Sequence, residues 1–393
     1  MNEFAFHTPT EIVFGKGAEA KTSALIQKYG GSRVLIVYGG GSAVRSGLLG
    51  QIENQLKQDR IEYRLHGGVK PNPIASHIRE GIKAALDFQA DFILAVGGGS
   101  AIDEAKAIAH GAKTPQTDFL AFWTGEAELT ASLPVGTVLT IAAAGSETSA
   151  SAVITNDETE QKRGLGSPHN RPCFAVMNPE WTFTLPKAQI ACGIVDIMMH
   201  TLERYFTPVD GNRMTDEIAE GLLRVTIDSG RVALNNPSDY DAMSELMWCG
   251  SLSHSGLTGL GRPIDFSVHQ MGHELGARFD VSHGASLSAL WGSWAELCRP
   301  EDIKRFARYA QSVWGISCLD VGEAARAGIE QTVEYFKELR MPTCFTELGI
   351  GVLPEEDILK LAESCTFHGK RKIGQLMPLD AEGIAKVYRM ANR

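Results

Sequence analysis

Short, almost fully apolar runs alternate with helix-patterned segments through the first part of the chain. Residues 34–38, 91–96 and 136–141 are apolar at nearly every position. Runs of this kind are typical of strands in a parallel sheet that is covered by helices on both faces. Between them, segments such as 76–88 repeat their apolar residues at helical spacing. The alternation predicts βαβ units, and hence an α/β domain with a Rossmann-like, mostly parallel sheet over residues 1–185.

The pattern changes after Pro186, where strand-like runs nearly vanish and helical periodicity continues almost to the end of the chain. Five helices are predicted in this half, over residues 187–206, 215–234, 242–260, 301–314 and 321–339. The boundary is therefore placed near Leu185-Pro186. The sequence predicts an all-α domain over residues 186–393.

Composition narrows the class of protein. The chain has 393 residues, 44% of them hydrophobic and 21% charged, and its net charge of −10 is spread without basic blocks. No nucleic-acid partner is expected, because such binding needs a basic patch. The seven cysteines form no CxxC pair, which argues against a disulfide framework. Without a signal peptide or an apolar run of about 18 residues, the chain is expected to be cytoplasmic and to avoid membranes.

Two glycine-rich turns follow predicted strands. Gly97-Gly98-Gly99-Ser100 ends one strand and opens a helix that places Asp103 in its first turn, and Gly39-Gly40-Gly41-Ser42 ends another. Glycines let backbone N–H groups approach a phosphate closely, and a helix N-terminus adds favourable partial charge. The alternative is a tight turn with Ser100 as a helix cap, since the GxGxxG fingerprint is absent. The second turn favours a dinucleotide site.

The residues after the strand that ends at Tyr38 bear on the choice of cofactor. An acidic residue there would bind the ribose hydroxyls of NAD, but this chain has glycine. Arg45 is close enough in sequence to meet a 2′-phosphate, so the pattern favours NADP(H) over NAD(H). The alternative is that Arg45 is a solvated surface residue.

A third strand end, residues 140–147, consists of small residues that would let a flat nicotinamide ring lie against the backbone.

Metal-binding side chains recur at helical spacing in the second half. Asp196 and His200 are four residues apart, as are His269 and His273, and His283 follows ten residues later. Residues at i and i+4 share a helix face. Oxygen and nitrogen donors without thiolates suit Fe²⁺ or Zn²⁺. A surface aspartate and a satisfied histidine are the alternative. Spacing alone leaves open which histidines bind the metal and which one is left for protons or substrate.

These motifs together resemble the iron-containing, or group III, alcohol dehydrogenase family. The similarity spans the chain, through Thr8-Pro-Thr-Glu-Ile-Val-Phe-Gly15-Lys-Gly17, Gly97-Gly-Gly-Ser100-x2-Asp103, Pro186-x4-Ala191-x-Gly193-x2-Asp196-x6-Glu203 and His269-x3-His273-x9-His283-Gly284. The turns at Tyr38–Ser42 and 139–147 look most like the NADPH-dependent aldehyde reductase and butanol dehydrogenase branch.

The resemblance implies a role for each site residue. The implied metal ligands are Asp196, His200, His269 and His283. His273 is left unbound near the nicotinamide, as the candidate catalytic proton donor. The implied cofactor contacts are Gly39, Gly40, Ser42, Gly98, Gly99, Ser100, Asp103, Thr140 and Lys162. Because the N-terminal strand of relatives often pairs across a dimer, a homodimer is also implied.

The predicted function is a metal-dependent, NADP(H)-linked alcohol dehydrogenase that interconverts short- to medium-chain aldehydes and primary alcohols. Two alternatives remain: a polyol dehydrogenase of the same family, acting on glycerol or a 1,2-diol, and a dehydroquinate-synthase-like lyase. Ala142 and Ala144 stand where the family usually has Pro and Thr, and Trp181 stands where the closest branch has Tyr. The substrate pocket is thus the part that transfers least from relatives.

Overall fold

The computed structural model describes all 393 residues. The chain forms two compact units: an α/β unit of residues 7–185 and 237–251, and a helical unit of residues 1–6, 186–236 and 252–393. Residues 1–6 and 237–251 thus lie outside the halves to which a single boundary at Leu185-Pro186 would assign them. No helix combines the length and the apolar character that a membrane span requires.

The α/β unit is built on a parallel sheet. Its strands are β1 (Glu11–Phe14), β2 (Arg33–Gly39), β3 (Glu62–Val69), β4 (Phe92–Gly97), β5 (Val135–Leu139), β6 (Ser151–Asn156), β7 (Gln161–Gly166) and β8 (Phe174–Met177). Six of them form one sheet in the order β1-β8-β5-β4-β2-β3, with every neighbouring pair parallel. β6 and β7 form a separate antiparallel pair. The predicted Rossmann-like sheet is confirmed.

Helices cover the sheet because its central strands are apolar on both faces, as their sequences predict. The helices of this unit are α1 (Thr22–Lys28), α2 (Ser42–Arg45), α3 (Leu48–Gln58), α4 (Ala75–Phe88), α5 (Gly99–Lys113) and α6 (Leu120–Thr124). Val34 and Ile36 of β2 belong to a buried core with Ile26 of α1 and Ile52 of α3. β4 is buried along its whole length.

The strand order places a topological switch point between β2 and β4. The chain passes from β2 to β3 on one side and then returns to add β4 and β5 on the other. In such sheets ligands bind beyond the carboxyl ends of the strands at the switch point. The two glycine-rich turns follow β2 and β4, so they lie at this position.

Ten further helices follow α6 in the chain, and all of them lie in the helical unit except the helix Tyr240–His254, most of which belongs to residues 237–251 of the α/β unit. They are α7 (Lys187–Tyr205), α8 (Arg213–Asn235), α9 (Tyr240–His254), α10 (Ser267–Phe279), α11 (His283–Cys298), α12 (Ile303–Trp314), α13 (Val321–Glu338), α14 (Phe345–Leu348), α15 (Glu355–Cys365) and α16 (Ala381–Ala391). The helix predicted over 242–260 is too long. α9 ends at His254 because Gly256 has φ of 102° and a short 3-10 turn, Leu257–Gly259, follows.

Candidate functional site

Helix α7 buries several polar side chains. From Ile190 onwards nearly all of its residues are buried, among them Asp196, His200 and Glu203. Their spacings of four and three residues place the three side chains along one helix face. A carboxylate or imidazole in such surroundings is costly unless it is paired or coordinated. The position of these residues therefore requires partners from neighbouring helices.

Three imidazoles converge on one oxygen of Asp196. Its Oδ1 lies 3.6 Å from Nδ1 of His200, 3.6 Å from Nε2 of His269 and 3.6 Å from Nε2 of His283. The histidines come from α7, α10 and the first residue of α11. The structure thus brings together the four residues that the resemblance implies as metal ligands.

The donor atoms fit a bound divalent ion. Oδ1 of Asp196, Nδ1 of His200 and Nε2 of His269 are buried, and none has a hydrogen-bond partner. With metal–ligand bonds of about 2.0–2.2 Å, the donors of a tetrahedral site lie roughly 3.3–3.6 Å apart. The separations from Asp196 match that spacing and are too long for hydrogen bonds. An ion would satisfy all of these atoms at once.

Glu203 orients His269. Its carboxylate is fully buried, accepts the backbone N–H of Val268 at 2.6 Å and that of His269 at 3.2 Å, and also contacts Nδ1 of the His269 ring. That contact leaves Nε2 of the ring directed at Asp196. From the sequence, Glu203 stands out only as part of a motif. Its spacing of three residues from His200 was the signal for its role.

The carboxylates of Asp196 and Glu203 stabilise positive charge among the converging histidines. Burial lowers the pKa of His269, but the charge of Glu203, its contact with the ring and the nearby Asp196 carboxylate outweigh burial and raise the pKa to about 9. Burial, with the neighbouring His254 and His269, lowers the pKa of His200 well below its usual value. His200 is therefore the neutral imidazole that metal coordination requires.

Close packing of α11 against α7 places His283. A Cβ atom added to Gly284 would lie 2.3 Å from the carbonyl oxygen of Cys192. Only glycine lets the first turn of α11 approach the α7 backbone so closely. This contact holds His283 beside Asp196.

Two further histidines lie next to the donor atoms. The His273 ring is half-buried, and its centroid is 5.5 Å from that of His283 and 6.4 Å from that of His269. The His254 ring stacks on His200 with centroids 3.9 Å apart. Sequence reasoning missed His254, because it stands at the end of α9 with no motif around it. Its stacking restrains the orientation of the His200 ring.

A substitution of Glu203 tests its role in orienting the ligand. Glu203→Gln removes the charge, and its single amide oxygen can accept either from the backbone N–H groups or from Nδ1 of His269 but not from both. We expect metal affinity to fall by about 10–100-fold, as for other groups that hold a ligating histidine. Competition with a chelating dye measures the change. The matched control is Glu217→Gln, whose side chain is 49% exposed; an equal loss in both variants would contradict the role.

The turn after β2 carries four of the predicted cofactor residues. Gly39 ends the strand, Gly40 follows it, and Ser42 and Arg45 are the first and last residues of the short helix α2, both exposed. No carboxylate occupies the end of β2. The structure therefore presents the glycines, a hydroxyl and a guanidinium at the carboxyl edge of the sheet.

The glycines of the turn after β4 are required by the packing of the protein itself. Gly98 is the N-cap of α5, so the alternative in which Ser100 caps the helix is wrong. A Cβ atom at Gly98 would lie 2.8 Å from Ile141, and one at Gly99 would lie 3.3 Å from Ala144. The glycines let the start of α5 approach the segment after β5. Gly98, Gly99 and Ser100 are thus held at the helix N-terminus.

Asp103 lies just beyond the first turn of α5, not in it as expected, because the helix begins at Gly99, and the Asp103 carboxylate binds protein groups. One oxygen accepts the Ser146 hydroxyl at 2.5 Å, and the other accepts the Val153 N–H at 2.9 Å. Burial raises its pKa. Lys106, which sequence reasoning missed, donates to Ser146 and Ser151, and burial lowers its pKa to about 8. Asp103 and Lys106 together fix the segment around Ser146.

The last two predicted cofactor residues lie on different elements. The Thr140 N–H donates to the Gly97 carbonyl at 3.1 Å, which ties the end of β5 to the turn after β4. Lys162, on β7, donates to the Asn72 side chain at 2.8 Å. That all these residues contact a cofactor remains a prediction.

Comparison with known proteins defines an oxidoreductase of the alcohol dehydrogenase class. The family model described as iron-containing alcohol dehydrogenase matches residues 9–179, and that of the C-terminal part of the family matches residues 190–392. The chain belongs to the iron-containing alcohol dehydrogenase family, in its aldehyde reductase and butanol dehydrogenase branch. Membership implies a nicotinamide cofactor and iron.

Individual relatives match over the whole length. NADH-dependent butanol dehydrogenase A of Clostridium acetobutylicum is 40% identical over 391 residues, 99% of each chain. NADPH-dependent aldehyde reductase YqhD of Escherichia coli is 37% identical over 401 aligned positions, covering 100% of both chains. The crystal structure of an NADH-dependent butanol dehydrogenase A from Thermotoga maritima has a TM-score of 0.96 at 33% identity, covering 100% of this chain and 99% of the other.

Proposed function

We propose that this protein is a metal-dependent, NADP(H)-linked aldehyde reductase that interconverts short- to medium-chain aldehydes and primary alcohols. The observation that carries the proposal is the convergence of three imidazoles on Oδ1 of Asp196, each at 3.6 Å. Such a centre suits a reaction in which negative charge develops on a substrate oxygen.

Each residue around Asp196 has its own role in the proposed reaction. Asp196, His200, His269 and His283 would hold Fe²⁺ or Zn²⁺, and Glu203 fixes the His269 ring. When bound, the ion supplies a Lewis acid for the carbonyl oxygen, and the nicotinamide supplies the hydride. His273 is half-buried beside His283 and can give a proton to the product alkoxide or take it from an alcohol.

The end of β2 supports the preference for NADP(H). Gly39 and Gly40 stand where NAD enzymes carry an acidic residue, and Arg45 is exposed on α2 nearby. The relatives do not agree on this point. The 40% identical enzyme is named as NADH-dependent, whereas the 37% identical one is named as NADPH-dependent. The proposal therefore rests on the residues of this chain.

Family membership favours a redox reaction over the lyase alternative, because the family models match from residue 9 to residue 392 with a single gap, at 180–189. The polyol alternative has a relative, a 1,3-propanediol dehydrogenase of Klebsiella pneumoniae that is 28% identical. The homodimer stays a prediction, and β1 lies at an edge of the sheet where another strand could pair.

A substrate panel tests the proposal. The iron-loaded and zinc-loaded proteins are mixed with NADPH or NADH and with butanal, hexanal or glyceraldehyde, and loss of reduced cofactor is followed. The reverse reaction uses butanol, glycerol and 1,2-propanediol. We expect the highest kcat/KM for butanal or hexanal with NADPH. A higher kcat/KM for glycerol or the diol would replace the proposed substrate class, and a higher value with NADH would overturn the cofactor preference.

A further inference from the structure

A second cluster of metal-binding side chains lies in the α/β unit, on residues that the proposed reaction does not use. His66 of β3, His77 of α4 and Glu104 of α5 point at one place. Nε2 of His66 lies 3.2 Å and Nδ1 of His77 lies 2.7 Å from Oε1 of Glu104. One ligand atom from each of the three lies within 4.8 Å of the others. The cluster thus offers two nitrogens and a carboxylate to one centre.

The fold holds these side chains in place. The two imidazole rings stack with centroids 4.4 Å apart and an interplanar angle of 27°. A Cβ atom at Gly81 of α4 would lie 2.3 Å from Ile108 of α5 and 3.0 Å from Nε2 of His66. The missing side chain lets α4 approach α5 and β3 closely. The three elements that carry the cluster are therefore packed together before any ion binds.

The interactions within the protein leave part of the cluster unsatisfied. The Glu104 side chain has no exposed surface, and its Oε2 has no hydrogen-bond partner. Nε2 of His66 also lacks one. A hydrogen bond between His77 and Glu104 accounts for Oε1 alone. Because a buried carboxylate oxygen without a partner is costly, the cluster needs a further group.

We propose that His66, His77 and Glu104 bind a divalent transition-metal ion of the zinc type, separate from the ion at Asp196. Two imidazoles and one carboxylate are a set of protein ligands that zinc accepts, with water in the fourth position. The side chains of His66 and His77 are 11% and 21% exposed, so water can reach the site. Nitrogen donors favour zinc and similar ions over Mg²⁺ and Ca²⁺.

The place of the cluster gives the ion a structural role. It would join the edge strand β3 to α4 and α5, and α5 begins with Gly99 and Ser100 of the second glycine-rich turn. An ion that binds only the folded unit stabilises it by mass action. The ion would therefore hold α5, and hence that turn, against the sheet edge.

Cobalt titration of the metal-stripped, full-length protein tests the proposal. Co²⁺ is the probe, the number bound per chain is measured by equilibrium dialysis, and visible absorption reports the ligand field. We expect two ions per chain in the natural protein, one in His77→Ala and one in Asp196→Ala. The double variant should bind none. The control is His169→Ala, which removes an exposed imidazole of the same unit and should keep two.

Glu104→Gln, which keeps the shape of the side chain, gives a second variant if His77→Ala fails to fold, and it should also bind one ion. Zn²⁺ should raise the Tm of Asp196→Ala and leave the double variant unchanged. The proposal is overturned if Asp196→Ala binds no Co²⁺, or if His77→Ala and Glu104→Gln both bind as many ions as the natural protein. In that case hydrogen bonds alone explain the cluster. If the natural protein binds an ion at His66, His77 and Glu104 but none at Asp196, the result contradicts the proposed function and leaves the second site standing.

Discussion

Replacing Asp196 by alanine is expected to abolish metal retention and to lower kcat/KM for aldehyde reduction by about 10³-fold, since a Lewis-acid ion is worth several kcal/mol in the transition state. The reason is geometric. Oδ1 of Asp196 is the atom to which His200, His269 and His283 are all directed at 3.6 Å. Without it, the three imidazoles have no anionic ligand beside them, and the site no longer holds a cation through dialysis.

Metal content after dialysis and steady-state kinetics with butanal measure the effect. Asp228→Ala is the matched control, because that aspartate is also helical but its side chain is 81% exposed. It should keep both metal and activity. Circular dichroism checks that the Asp196 variant is folded. Full turnover by a folded Asp196→Ala protein that holds no metal would show that the centre is not required for the reaction.

Placing aspartate at Gly39 is expected to shift the ratio of kcat/KM values by about 10–100-fold from NADPH towards NADH, because like charges in contact cost up to several kcal/mol. The new carboxylate would repel a 2′-phosphate and could accept the ribose hydroxyls of NADH. The backbone tolerates the change. A Cβ atom at Gly39 meets only the Val69 carbonyl oxygen, at 3.6 Å, which is an ordinary contact.

The matched control is Gly39→Asn, which adds a side chain of the same size without the charge. It should change the ratio much less than Gly39→Asp does. Measurements at low and high salt add a second check, because repulsion near the surface is screened by salt. Equal ratios in the natural protein and in Gly39→Asp would refute the predicted NADP(H) preference and leave the turn after β2 without a role in discrimination.

Local sequence patterns predicted which helices and strands form better than they predicted where each one begins and ends. The apolar runs that became β2, β4 and β5 were recognisable because both faces of each strand are buried. The helix predicted over 242–260 ends six residues too late, since its apolar pattern continues beyond His254 whereas Gly256, at φ of 102°, ends the helix. Asp103 was placed in the first turn of α5, because Gly98 could not be recognised as its N-cap from sequence.

Periodicity and short motifs along the chain were enough to predict the α/β and helical halves, the two glycine-rich turns and the family, because each of these depends on residues close together in sequence. The sequence also supplied the pairs at four-residue spacing. The three-dimensional contacts were needed to show that His200, His269 and His283 converge on one oxygen of Asp196, that Glu203 orients His269 and that His254 stacks on His200. The fold alone brought His66, His77 and Glu104 together. Such contacts join residues that are far apart in the chain. They depend on how closely the helices pack, as at Gly284 and Gly81. No local sequence pattern encodes that packing.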